Sequence, residues 1–255
     1  MLVAVITGAS SGIGKDLSIL LASNDYKVYG LSRRKIDING VTSIECDVTN
    51  LEQIKKACSK IIASEKQIDF LINNAGMGIA GPIIDSNYND IKNIFDTNVM
   101  GTIMVTKEFL PFIKDGGKII NIGSVAGDLT IPYQGFYSMS KSAIDKFSEC
   151  LRVELHNKKI KVTTILPGDT KTGFTANRKT TIKDNEIATK SIKKMEKDEQ
   201  NGVSPRKVSK VIFKVMKAKN PPIRVAVGLS YKLFIFLQRI LPRRLVIFIL
   251  RKLYS

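Results

Sequence analysis

The sequence predicts an α/β fold: a doubly wound parallel sheet of about seven strands, flanked by helices on both faces. Apolar runs of strand length alternate with longer segments of helical period, as repeated strand–helix–strand units require. Most of these runs are continuously apolar, which suits strands covered on both faces. The chain of 255 residues, 44% apolar and 25% charged, is long enough for one large core, and no repeat or low-complexity linker divides it.

The elements follow in order. Leu2–Thr7 reads as the first strand and Gly12–Ser23 as the first helix. Strands are expected at Lys27–Leu31 and Thr42–Glu45, a helix at Leu51–Ser64 and a strand at Asp69–Ile72. A long helix at Tyr88–Phe112 precedes a strand at Lys118–Ile122, and a helix at Phe136–His156 precedes one at Lys161–Leu166. Thr175–Gly202 is polar and lysine-rich and shows no clear strand, so it reads as a long excursion. A helix at Pro205–Ala218 and a strand at Arg224–Val227 complete one domain over residues 1–228, and residues 229–255 form a basic, apolar tail. The first apolar run leaves no room for a basic leader, which argues against export. Cys46, Cys58 and Cys150 are widely spaced and suit neither a disulfide framework nor a metal cluster, so no metal and a cytoplasmic location are expected.

Between the first strand and the first helix lies Thr7-Gly8-Ala9-Ser10-Ser11-Gly12-Ile13-Gly14. Glycines there allow a tight turn and let a pyrophosphate reach the free N–H groups and positive dipole end of the helix. The same stretch satisfies G-x-S-x-G, the nucleophile elbow of serine hydrolases. A triad needs a histidine base, however, and the sole histidine, His156, sits at the end of an expected helix.

Tyr137-Ser138-Met139-Ser140-Lys141 sets a tyrosine and a lysine four residues apart on one helical face. A cation beside a phenol favours the phenolate and lowers its pKa. Y-x-x-x-K alone is weak, but its company is specific. Ser124 follows an expected strand thirteen positions earlier, Asn73-Asn74-Ala75-Gly76 follows another, Asn98 lies in the long helix, and Pro167-Gly168 ends a further strand. Ligands of open parallel sheets gather at the carboxyl ends of strands, where nearly all of these residues fall.

Taken together and in this order, the motifs resemble the short-chain dehydrogenase/reductase family in its form of roughly 250 residues, over about Leu2 to Val227. The chain also resembles the family's 17-beta-hydroxysteroid and retinol-type branch. The resemblance implies a Rossmann-type fold and an oxidoreductase that interconverts a carbonyl and an alcohol. It assigns Tyr137 as general acid/base, Ser124 as hydrogen-bond donor to the reacting oxygen, and Lys141 as partner of the nicotinamide ribose and of the tyrosine. Asn98 would hold a water that links the lysine to solvent. Gly8, Ser10, Ser11, Gly12, Ile13 and Gly14 would cradle the pyrophosphate. Asp47 and Val48 would meet the adenine, and Asn74, Ala75, Gly76, Pro167, Gly168, Thr170 and Thr172 would line the rest of the cofactor. Thr170 stands where the family usually has valine.

Family members that use NAD end the second strand in an acid, whereas here the position is Ser32, followed by Arg33 and Arg34. Guanidinium groups suit a 2′-phosphate, so the expected cofactor is NADP(H). The expected substrate is a hydrophobic lipid-, steroid- or retinoid-like ketone or aldehyde. A 3-oxoacyl thioester reductase is the alternative within the class, and a catalytically silent cofactor sensor the alternative outside it. Residues 173–203 would then act as a lid over the substrate, in a homo-dimer or homo-tetramer.

The net charge is +17, and from Arg206 onward there are thirteen Lys and Arg residues and no Asp or Glu. Leu229–Tyr254 interleaves six of these cations with the apolar stretches Phe234–Leu237 and Leu245–Leu250, each too short to span a bilayer. Three coverings stay open for these apolar side chains: anionic lipid, a second subunit, or the chain's own domain. Nucleic acid is not expected, because the cations alternate with aliphatic side chains rather than stacking platforms. Since every motif precedes Gly173, removal of the tail is expected to leave the cofactor site intact.

Overall fold

A computed structural model describes residues 1–183 and 185–254. The chain runs β1 (Leu2–Thr7), α1 (Gly12–Ala22), β2 (Tyr26–Ser32), β3 (Val41–Glu45), α2 (Leu51–Glu65), β4 (Ile68–Asn73) and β5 (Ile79–Ala80). It continues through α3 (Tyr88–Phe95), α4 (Gly101–Phe109), β6 (Ile113–Ile122), α5 (Gly135–Glu154), β7 (Lys161–Pro167) and β8 (Lys179–Thr180). The remaining elements are α6 (Glu186–Gln200), α7 (Pro205–Lys217), β9 (Arg224–Val227), α8 (Leu229–Ile240) and α9 (Arg243–Tyr254).

The main sheet has seven parallel strands in the order β3-β2-β1-β4-β6-β7-β9. Side chains alternate across each strand, so β1 sends Val3 and Val5 to one face and Ala4 and Ile6 to the other. On the first face they meet Ile54 and Ile61 of α2, Val105 and Phe109 of α4 and Leu151 of α5. On the second they meet Leu17 and Leu21 of α1 with Val208, Ile212 and Met216 of α7. Each such large side chain, once buried, stabilises the fold by about 1.5–3 kcal/mol. The strand order reverses direction between β1 and β4, which opens a crevice at their carboxyl ends.

Three elements differ from the sequence reading. The helix expected over Tyr88–Phe112 widens to i→i+5 bonding at Asp96–Met100, where the Gly101 N–H donates to the Asp96 carbonyl. The strand expected from Lys118 begins at Ile113, because Ile113 pairs with Ile68 ahead of a register shift. The excursion contains helix α6, capped by Asn185, whose side chain accepts from the Ala188 N–H, and β8, which pairs with β5. Ala188, Ser191, Ile192 and Met195 form the buried face of α6. That i, i+3, i+4, i+7 spacing is present in the sequence but is masked by lysines on the outer face.

Candidate functional site

The turn after β1 is shaped by backbone geometry that only glycine tolerates. Gly8 has φ of +66°, and its N–H donates to the Leu31 carbonyl at 2.8 Å. A Cβ on Gly14 would lie 2.4 Å from Asn74 Nδ2 and 2.5 Å from the Gly8 carbonyl oxygen. Asn74, at the end of β4, holds the turn in place: its Nδ2 donates to the carbonyls of Thr7 (2.9 Å) and Gly8 (3.2 Å). In return the Thr7 hydroxyl oxygen accepts from the N–H groups of Asn74 and Ala75, both at 3.0 Å. Ser11 is the N-cap of α1 but makes no side-chain cap bond, so the first N–H groups of the helix face the crevice.

The crevice is a cavity of about 910 Å³. It is lined by Gly8, Ser10, Ser11, Gly12 and Ile13, by Ser32, Arg33, Arg34, Asp47 and Val48, and by Asn74, Ala75 and Gly76. Ser124, Tyr137, Lys141, Pro167, Gly168, Thr170 and Thr172 line its other end. Of the residues singled out in the sequence, only Gly14 and Asn98 do not line it. Gly14 instead lets α1 pack against Asn74. Asn98 is buried in the widened turn, where its Oδ1 accepts from the Met77 N–H (2.8 Å) and its Nδ2 donates to the Met77 carbonyl and to Ser140 Oγ, each at 3.0 Å. It therefore joins the loop after β4 to the helix that carries Tyr137.

Ser124 lies two residues past the end of β6 and accepts a bond from the Ala126 N–H at 3.1 Å. Tyr137 and Lys141 lie in the first two turns of α5, with Lys141 Nζ 5.8 Å from the centre of the Tyr137 ring. Lys141 Nζ donates to the Ile122 carbonyl at 2.7 Å. Burial pushes the Tyr137 phenol up to about 12, opposed in part by its hydrogen bond with Ser124. Burial also pulls Lys141 down to about 8, with Asp145 acting the other way. For the phenol, desolvation is the largest influence, and it acts against the lowering expected from the neighbouring cation.

The adenosine end is open. Ser32 is buried and donates its hydroxyl to the Arg34 carbonyl, while Arg33 and Arg34 are exposed at the cavity rim. Asp47 Oδ1 accepts from the Thr49 N–H and hydroxyl at 2.9 and 2.8 Å, which fixes the loop after β3. The glycine turn and the helix end therefore fit the pyrophosphate of a nicotinamide dinucleotide.

Sequence reasoning missed part of the wall. Phe174 lies 5.7 Å from the Tyr137 ring centre to centre, and Ile131, Met195 and Glu199 also line the cavity. Arg178, almost fully buried, pairs with Glu199, and Thr175 donates to the same carboxylate at 2.5 Å. Tyr231 of α8 packs its ring on Gly168 so closely that a Cβ there would sit 2.0 Å from it, and its hydroxyl donates to the Asp169 carboxylate. The Asp169 N–H donates back to the Tyr231 hydroxyl at 3.1 Å. Only long-range packing joins these pairs, so no local pattern announces them. His156 lies beyond the far end of α5, roughly 28 Å along the helix from Tyr137, so it cannot serve Ser10 as a triad base.

Residues 2–183 match the family model for short chain dehydrogenases. The chain is 40% identical to a 3-ketodihydrosphingosine reductase of Bacteroides thetaiotaomicron, over 99% of this chain and 98% of that protein. A short chain dehydrogenase of Burkholderia cenocepacia in complex with NADP superposes with a TM-score of 0.79 at 25% identity, covering 96% and 95% of the two chains. A relative in fold from Burkholderia phymatum, in complex with NAD, gives a TM-score of 0.82 at 23% identity, covering 93% and 92%. The fold thus accommodates either nucleotide. From the matched residues, the strand order and the cavity at the carboxyl ends of the strands, the chain belongs to the short-chain dehydrogenase/reductase family of nucleotide-binding oxidoreductases.

Proposed function

We propose that the protein reduces the ketone of a long-chain lipid, of the kind of 3-ketodihydrosphingosine, using NADPH. The observation that carries this reading is the convergence of Ser124, Tyr137 and Lys141 at one end of a cavity whose other end has two arginines and no acid on the second strand. When bound, NADPH supplies the hydride. Tyr137 gives its phenolic proton to the substrate oxygen as the carbonyl becomes an alcohol, and Ser124 donates a hydrogen bond to that oxygen. The Lys141 ammonium sits near enough to offset the charge left on the phenolate. With its phenol pushed up by burial, Tyr137 carries its proton at neutral pH and has it available for the substrate oxygen. Ile131, Phe174 and Met195 give the substrate end an apolar wall. The 40% likeness over nearly the whole chain supports a lipid ketone over a 3-oxoacyl thioester.

A spectrophotometric assay with 3-ketodihydrosphingosine, a 3-oxoacyl thioester and a small ketone tests this. Oxidation of NADPH is expected with the first substrate and to be much weaker with NADH, and Arg33→Ala should narrow that preference by weakening only NADPH. Tyr137→Phe should lower turnover by roughly 10²–10⁴-fold with nucleotide affinity nearly unchanged. Equal use of NADH and NADPH, or a Phe variant with half the normal turnover, would refute the assignment.

A further inference from the structure

The two helices after β9 are amphipathic in the reverse of the usual sense. On α8 the inward face carries Tyr231, Ile235 and Gln238. Ile235 packs with Val125 and Leu166, and Gln238 donates to the Asp128 carbonyl at 2.8 Å. The outward face carries Leu229, Leu233, Phe236 and Ile240, spaced 4, 3 and 4 residues apart and 85%, 53%, 59% and 62% exposed. On α9, Leu245, Phe248 and Ile249 share one exposed face with Lys252. Lys232 and Arg239 flank the stripe on α8, and no acid occurs anywhere from Arg206 onward. A solvated helix pair would put these faces the other way round, since an exposed patch of this composition signals a partner.

The charge pattern selects among partners. A second copy meeting this face through a two-fold axis would bring the cations of one copy among those of the other, with no carboxylate on either helix to relieve them. Among the described residues no helix is long and apolar enough to cross a membrane. Apolar side chains rimmed by cations match the boundary between acyl chains and anionic headgroups. The position also matters. The inward face of α8 rests on Gly168, Asp169 and Val125, all of which line the cavity. We propose that the outward faces of α8 and α9 dock on an anionic lipid bilayer, laying the tail-covered end of the cavity against the membrane.

Docking does not depend on the proposed reaction, so it is tested without an activity measurement. The full-length protein is spun with phosphatidylcholine vesicles, with or without phosphatidylglycerol, at low and high salt. It should sediment with the anionic vesicles at low salt, remain in solution with phosphatidylcholine alone, and be released by salt. Leu233→Ser, Phe236→Ser and Ile240→Ser combined should weaken sedimentation on the order of tenfold or more, and Arg239→Gln about fivefold. Because these side chains are exposed, the thermal midpoint of each variant should match the parent, which separates lost docking from lost folding. Failure of the parent to sediment with anionic vesicles at low salt overturns the proposal. So does undiminished sedimentation of the triple variant, or a parent dimer that this variant converts to monomer.

Discussion

At the scale of single residues, the site is a contest between burial and charge. Lys141 ionises near 8 because desolvation penalises its ammonium more than Asp145 favours it. Below pH 8 the cation is present and can stabilise the phenolate left by Tyr137; above it, Lys141 is neutral. In ketone reduction, kcat/KM should therefore fall as pH rises through about 8, since this ratio reports groups of the free protein. A flat profile from pH 7 to 9, measured under a constant buffer system, would remove Lys141's charge from the mechanism. The same shift acts on stability. The unfolded lysine stays protonated up to about 10.5, so between 8 and 10.5 the unfolded chain binds more protons and this group's contribution to stability rises with pH. Single residues were also where the sequence was most readable. Gly8, Ser124, Tyr137 and Lys141 belong to fixed spacings, whereas the role of Asn98 as a clamp on the Met77 backbone depends on a widened turn that no spacing reveals.

At the scale of elements, continuous apolar runs located most strands of the main sheet, because strands buried on both faces carry little polar sequence; the edge strand β3, VTSIE, is the exception. Helix α6 escaped notice because its buried face holds small and polar residues, Ala188 and Ser191, among many lysines. Beside the packing of Ile192 and Met195 on Ala80 and Ile131, α6 is held over the cavity by the Arg178–Glu199 pair, both partners largely shielded from water. Removing one partner strands the other charge, at a cost of roughly 3–5 kcal/mol. Arg178→Met should thus let α6 open roughly a hundred- to a few-thousandfold more often while the sheet holds. Limited proteolysis should then cut this segment first and faster than in the parent. Unchanged cleavage would show that the pair does not hold α6 down.

At the scale of the whole molecule, the helices after β9 are bound to the catalytic end more firmly than the sequence suggested. All motifs precede Gly173, so the tail had seemed removable without harm to the cofactor site. The structure sets α8 against that site: Tyr231 packs on the Gly168 turn, and Ile235 covers Val125 and Leu166. Deleting Leu229–Ser255 uncovers these groups, a loss of about 3 kcal/mol if one aromatic and one aliphatic contact are counted. The thermal midpoint should drop by roughly 6–12 °C, and nucleotide affinity should weaken with it. A truncated chain with the parent's midpoint and affinity would restore the earlier view.

Tyr231's seat on Gly168 also bears on how the protein is made. Every wall of the cavity supplied by the sheet comes from residues that precede Leu229, and β9, the last strand, ends at Val227. A chain folding from its N-terminus can complete the parallel sheet first and receive α8 afterwards, as a prop set behind a finished wall. Such an order leaves a stage at which the nucleotide crevice exists while its Gly168 wall still lacks the support of Tyr231.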